Sequence, residues 1–410
     1  MLKKILPAAI LILITLFPIC YGGEKIKVLI LGIVDLGQTM GKFFDIEPSV
    51  DYKVVVGDDG RIPDPQLQKL IRLYFPRTQE EIEEYDFIFM LHLTWHIFTI
   101  QQDKMIYDAI RNGAGALNDG SVFSIVPPIA ETWAASLSSQ AFPNDVPAVL
   151  KTNFEYVTMS YQVKINQDFP DPVLTSFLPF GVEKVAAMGA TRMVIGREGS
   201  STLAWIIGPF PWRQDAEYLL FWDYENGRTM TCSDYVPSGW LGYPTVPGPN
   251  TNEYAPDILM NMIFYCTKRN LIDDIVVYHR LKMSLAEFRG RMGVLVTLSD
   301  FIDKFGANTQ RIQDEVIRLE EMAGEMTDLY LDQEFVESER ILLEALDAFP
   351  AVEEIARKEK EKALLWVYII EWLASASTFF ISGFVLWTLM VRRRLYRETA
   401  STRLKFMEGG

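Results

Sequence analysis

Three histidines and three cysteines are the residues of this chain best suited to metal binding or nucleophilic chemistry. His92 and His96 follow the apolar run Tyr85–Leu91 at i, i+4 spacing. On a helix, that spacing sets two imidazoles on one face, the start of a metal site if carboxylates join them. Leu93, Thr94 and Trp95 between them do not favour a helix, so polar loop histidines are the plainer reading. His279 falls in a helical stretch and reads as structural. Cys20 belongs to an N-terminal leader, which leaves Cys232 and Cys266 as the thiols of the mature chain. Three cysteines exclude a four-cysteine zinc site. Cys232 and Cys266 are free to pair on an oxidising side, and sequence does not set their distance. Gly113-Ala114-Gly115 with Gly120 does not match G-x-G-x-x-G, and it follows a helix where a nucleotide fingerprint follows a strand. Asp58-Asp59-Gly60 opens like a calcium loop but lacks the later ligands, so it reads as a turn. These motifs imply no cofactor and assign no metal set.

The elements that position such residues belong to an acidic, ordered chain of 410 residues, enough for two or three units. Hydrophobic residues make up 49% and charged residues 23%, which excludes a disordered or low-complexity class. A net charge of -15 argues against duplex nucleic acid as a partner.

Both ends point to a membrane. Lys3 and Lys4, the apolar run Ile5–Ile19 and the small residues near Gly22 and Gly23 read as a signal peptide over 1–23. An uncleaved anchor is the alternative. From Trp372 to Val391 no residue is charged, and at about 1.5 Å per residue that length crosses a ~30 Å hydrocarbon core. Trp366, Tyr368 and Trp387 suit the interfaces. Arg392, Arg393, Arg394 and Arg397 place the tail 392–410 in the cytoplasm by the positive-inside rule. Removing the two basic ends leaves a middle more acidic than the whole chain. The expected product is a single-pass cell-membrane protein, embedded by one helix over 363–391, with its N-terminal domain outside.

Residues 24–270 alternate strand and helix signals. Continuous apolar runs at Lys27–Gly32, Tyr52–Gly57, Tyr85–Leu91 and Ala114–Asn118 read as strands buried on both faces. Helical spacing falls at Asp64–Tyr74 and Gln101–Asn112, and Thr78 opens a capping box. This order implies a parallel sheet with helices on both faces. From Tyr156 to Asp234 the pattern turns to β: Val157–Val163, Ala186–Ile195, Thr202–Ile207, Glu217–Asp223 and Thr229–Asp234. A hairpin turn is expected at Asp223–Gly227. Pro237–Pro256 reads as a loop, and Asp257–Thr267 as a closing helix.

Over 271–362 the chain reads as an α-helical stalk or coiled-coil hairpin. Residues 273–349 hold no proline, and apolar residues recur at Leu281, Leu285, Phe288, Met292 and Leu295, then from Ile312 to Tyr330. Gly306-Ala307-Asn308 is the expected break between two antiparallel helices, with one unbroken helix as the alternative. Pro350 is expected to end this unit. Asp314–Asp347 carries twelve acidic and two basic residues, read as a solvated face.

Three segments together resemble the class I glutamine amidotransferase-like proteins, in the branch that includes ThuA-like proteins. They are Phe75-Pro76-Arg77-Thr78 with Glu80-Glu81-Ile82 and Tyr85-Asp86-Phe87-Ile88; Ile110-Arg111-Asn112-Gly113-Ala114-Gly115; and Gly227-Arg228 with Thr231–Asp234, Pro237 and Trp240. The resemblance covers about residues 24–270. It implies a flavodoxin-like doubly wound α/β sheet, here with β-rich additions, and a ligand at the carboxyl ends of the strands.

A glutaminase of this kind needs a cysteine thiolate on the turn after a strand, activated by histidine. The resemblance puts that turn after Ala114–Asn118, where Asp119, Gly120 and Ser121 stand instead. The amidotransferase reaction is therefore expected to be absent. Asp119-Gly120-Ser121 lacks the G-x-S-x-G elbow, and a serine there reads first as a helix cap. His92, His96, Asp119 and Ser121 remain the candidate catalytic residues of an alternative reading, a surface hydrolase. The leading expectation is a catalytically degenerate binding or assembly module, engaging a protein partner or a second copy through its stalk. Signal relay through the membrane is a third expectation.

Overall fold

The computed structural model describes residues 23–33, 40–41, 43–58, 62–91, 93, 95–119, 127–145, 162–184, 194–207, 216–234, 236, 252–305 and 309–407. The leader, Ser121, His92, the turn expected at Gly306–Asn308 and most of the strands expected at Val157–Val163 and Ala186–Ile195 lie outside these residues, as do 146–161 and 237–251.

The chain forms a mixed α/β unit and a helical unit. The first comprises residues up to 286 together with 324–342; the second comprises 287–323 and 343–410.

The α/β unit holds one eight-stranded sheet: β1 Ile26–Ile33, β2 Val50–Asp58, β3 Phe87–Leu91, β4 Gly115–Asp119, β5 Gln162–Ile165, β6 Ser201–Ile207, β7 Ala216–Tyr224 and β8 Gly227–Cys232. Their order is β2-β1-β3-β4-β8-β7-β6-β5. The pairs from β2 to β8 are parallel and those from β8 to β5 antiparallel. All of β3 and β4 is buried, which is why their apolar runs do not alternate.

Helices α1 Asp64–Tyr74, α2 Gln79–Glu83, α3 Ile100–Asn112 and α4 Pro127–Ala134 accompany the parallel strands. Leu67 and Ile71 of α1 and Met105, Ile106 and Ile110 of α3 share one core with Leu29, Leu31, Ile88, Met90 and Ala116. Thr78 Oγ1 accepts from Glu81 N at 3.2 Å, and Thr99 with Gln102 forms a full capping box on α3. On the opposite face, Phe89 meets Phe44 at 6.1 Å, and α5 Ala255–Cys266 is buried almost all round. Tyr278 packs on Phe264 of α5 at 6.5 Å, so helical residues cover the side of α5 that the sheet does not.

The hairpin between β7 and β8 has Glu225 and Asn226 as its loop, with Glu225 at φ 51°. Gly227 is not a turn residue but the first of β8. A Cβ there would overlap the carbonyl oxygen of Ile110 and lie 2.8 Å from that of Ala114. Only glycine allows this backbone approach. Gly227→Ala is expected to lower unfolding stability by about 3 kcal/mol, measured by urea titration, because the colliding atoms are backbone and cannot rotate away.

Three long helices follow: α6 Ile275–Lys304, α7 Gln310–Leu331 and α8 Phe335–Met407. A break between 304 and 310 agrees with the expected hairpin turn. Tyr278 at the start of α6 lies 5.9 Å from Tyr330 at the end of α7, so the two run antiparallel.

Two expectations fail. The stretch 273–349 holds a third helix segment, because the chain turns again at Gln333. Its φ is 62°; Glu334 N donates to Leu329 O at 2.9 Å and Gln333 N to Tyr330 O at 3.1 Å. This is a Schellman cap built without glycine, so no sequence signal marks it. Pro350 does not end the helix either. α8 runs through it, forgoing one backbone bond at about 3 kcal/mol. Neighbouring Phe349 and Val352 are buried, and Phe349 packs edge-on against Phe288 at 5.4 Å within the helical unit.

Beyond Ala363 the surface of α8 changes. Trp366, Trp372, Phe379, Phe380, Phe384 and Trp387 are all exposed. No part of the apolar window is covered by protein, which excludes a buried core helix and leaves a candidate membrane span.

Candidate functional site

β4 and β8 end side by side at the carboxyl edge of the sheet. Asn118 pairs with Thr231 and Asp119 with Cys232. Strand alternation therefore puts Asn118 and Thr231 on one face, and Asp119 and Cys232 on the other. All four are buried, as are Asn144, Ser233 and Asp234.

The face carrying Asn118 is built on a fixed platform. Thr231 Oγ1 donates to Asn144 Oδ1 at 3.0 Å, and Thr229 Oγ1 donates to Ala141 O at 2.7 Å. Arg197 Nε donates to Asn144 O at 2.8 Å and its Nη2 to Ser139 O at 2.9 Å. Burial draws the Arg197 guanidinium below its ordinary pKa, although nearby Asp145 opposes this. Arginine stays charged, and the carbonyls it holds tie the 138–145 segment down.

Against that order, Asn118 Nδ2 and Oδ1, Asn144 Nδ2 and Ser233 Oγ have no hydrogen-bond partner among the described residues. A buried polar group left so costs about 1–3 kcal/mol. Four such atoms at the carboxyl end of a parallel sheet offer both donors and an acceptor. What they can do is hold a small polar group; nothing in the set is a nucleophile activated by a base.

A concavity of about 400 Å³ opens elsewhere, near Tyr85, Asp86, Asn112 and Gly113. These residues precede β3 and β4, so it lies at the amino edge, where Asp86 Oδ2 already accepts from Lys27 N at 2.8 Å. The carboxyl edge is the stronger candidate because its buried polar atoms are unmatched.

The residues singled out in the sequence do not converge. His96 sits in a single 3-10 turn, Trp95–Ile97, and its Nε2 lies 2.9 Å from Asp64 Oδ2 at the start of α1. Its described partner is thus Asp64 and not Asp119. Among the described residues no His, Cys, Asp and Glu group is arranged for a metal. Asp119 is the last residue of β4, whereas the sequence predicts it as the first of the following turn. His92 and Ser121 fall outside the described residues.

The open question of a disulfide is answered: Cys232 and Cys266 form none, and both are buried. Cys232 ends β8 beside Asp119, whereas Cys266 ends α5 beneath Gly115. Burial pushes the Cys266 thiol far above its usual range, so it supplies no thiolate.

Sequence reading missed Asn118, Asn144, Thr231 and Ser233. One signal was present, the polar pair Asn118-Asp119 closing an apolar strand. Asn144 carried none, because Thr231 lies far from it in sequence.

No family model matches this chain, and no curated protein matches it. Two solved structures of cytoplasmic proteins from Salmonella typhimurium are similar over 59% of this chain and 99% of theirs. The first is 14% identical with a TM-score of 0.42 and the second 13% identical with a TM-score of 0.40. An exo-beta-1,4-mannosidase from an Opitutaceae bacterium is 9% identical over 62% of this chain and 37% of its own, with a TM-score of 0.30.

Proposed function

We propose that this protein is a membrane-anchored binding module whose α/β unit holds a small polar ligand outside the cell, without glutaminase chemistry. The observation that carries the reading is the unpaired set Asn118, Asn144 and Ser233 at the ends of β4 and β8. The strand order 2-1-3-4 followed by a fifth parallel strand supports a flavodoxin-like sheet with β-rich additions, whose ligands lie at that edge. The degenerate amidotransferase-like reading rests on the three sequence segments and on Asp119-Gly120-Ser121 where a cysteine would stand. Cys232 and Cys266 are both buried, away from that turn's Ser121 position in sequence. Outward orientation of the α/β unit rests on the arginine cluster that follows Val391.

The ligand fitting these atoms carries an acceptor and a donor close together, as an amide or a vicinal pair of hydroxyls does. The test uses the full chain in detergent micelles with L-glutamine and, separately, D-glucose as probes. A ligand at about 100 times its Kd stabilises by about 2.7 kcal/mol. One probe is expected to raise the thermal midpoint by several degrees, Asn118→Leu to abolish that rise, and glutamine to release no ammonia. Ammonia release that disappears in Ser121→Ala would establish the hydrolase reading instead. No shift with either probe, joined to a less stable Asn118→Leu, would assign the unpaired atoms to internal water.

A further inference from the structure

A second buried polar cluster lies away from the strand ends, where the first turns of α6 and the last of α7 meet the α/β layers. Glu47 precedes β2 and is 2% exposed. Tyr278 of α6 donates to its Oε2 at 3.0 Å, Tyr330 of α7 donates to its Oε1 at 2.7 Å, and Ser49 Oγ donates to Oε1 at 2.7 Å. Lys282 Nζ of α6, itself buried, lies 3.3 Å from Glu47 Oε2 and 3.2 Å from Asp257 Oδ1 of α5. These are ion pairs by distance without aligned hydrogen bonds, and the ammonium also sits over the Phe43 and Tyr278 rings. Asp257 Oδ2 meets His279 Nδ1 at 2.6 Å.

The charges decide how this array behaves. Two buried carboxylates face one lysine and one histidine. With His279 protonated the four charges balance; with His279 neutral one negative charge is left without a counterpart beside carboxylates that are 1–2% exposed. His279 is also the member whose ordinary titration falls nearest neutral pH. The groups facing it are Asp257 from α5, Glu253 just before α5, Lys282 on its own helix and the Tyr254 ring at 4.3 Å. Beyond Lys282 stand Glu47, Tyr278 and Tyr330.

We propose that Glu47, Asp257, His279 and Lys282 form a proton-controlled clamp that seats the base of α6 and α7 on the α/β layers, closed when His279 is protonated and loosened when it is neutral. The Asp257 hydrogen bond, against the cost of burial, raises the His279 pKa above its ordinary value. The sign follows: the clamp contributes fully below about pH 6.5, the ordinary histidine value, and its contribution is lost as pH rises through the higher folded-state pKa.

The test is hydrogen exchange of the full chain in detergent micelles from pH 5.5 to 8.5, with labelling times corrected for intrinsic exchange. Peptides from 275–286 and 324–342 are expected to exchange faster as pH rises, by up to tenfold for each unit that the folded pKa exceeds the unfolded one. His279→Gln should exchange fast at every pH, and His279→Lys, which keeps the charge, should exchange slowly at every pH. His96→Gln, away from the array, should behave as the wild type. A flat profile in the wild type overturns the clamp. So does a rise with pH that survives in His279→Lys, which needs no other variant to fold.

Discussion

Replacing Glu47 with alanine is expected to destabilise the α/β unit by about 3–5 kcal/mol, the range for breaking a buried ion pair by removing one partner. The loss does not come mainly from a missing attraction. Lys282 is 5% exposed and would keep only Asp257, and the Tyr278 and Tyr330 hydroxyls would lose their shared acceptor. Burial and the Glu47 carboxylate hold both phenols well above their ordinary pKa, so neither can answer the loss by ionising. Glu47→Gln keeps the shape and one acceptor oxygen for the tyrosines. It should cost less, about 1–3 kcal/mol. Urea unfolding of the full chain in micelles, followed by tryptophan fluorescence, measures both. A loss below about 1 kcal/mol in Glu47→Ala would mean that water reaches the array and screens it.

Deleting residues 365–391 is expected to convert the protein from one retained by membranes after alkaline carbonate treatment to one found wholly in the soluble fraction. The apolar window of α8 has a mean hydropathy of 1.6 and none of it is buried by protein. Fully burying one large apolar side chain is worth about 1.5–3 kcal/mol, and this segment exposes Phe379, Phe380, Ile381, Phe384 and Leu386 in succession. Retention of the deleted form would point to a second anchor, and the apolar leader Ile5–Ile19 is the segment to remove next.

Much of the parallel sheet could be read from sequence, because strands buried on both faces need unbroken apolar runs. β1 and β3 show such runs while β4 ends in the polar pair Asn118-Asp119, and the expected ends of all three differ from the observed ones by at most two residues. The candidate site was legible only in outline. Asp119 is expected in the turn just after a strand, one residue beyond its actual place, but Asn144 reaches Thr231 across 87 positions, a separation that no local pattern reports.

What the sequence by itself determined are properties that act through near neighbours along the chain. They are most of the parallel strands, the cap at Thr78, the break between Lys304 and Gln310 and an uncharged stretch long enough to cross a bilayer. Only the tertiary structure decided what depends on which distant groups meet. It left that stretch uncovered, as a candidate membrane span and not a core helix, kept Cys232 and Cys266 from pairing, and gathered Glu47, Asp257, Lys282 and Tyr330 into one buried array. It also carried α8 through Pro350 and turned the chain at Gln333. In both places packing and long-range hydrogen bonds outweigh a local preference of a few kcal/mol at most, and such preferences are all that a single stretch of sequence displays.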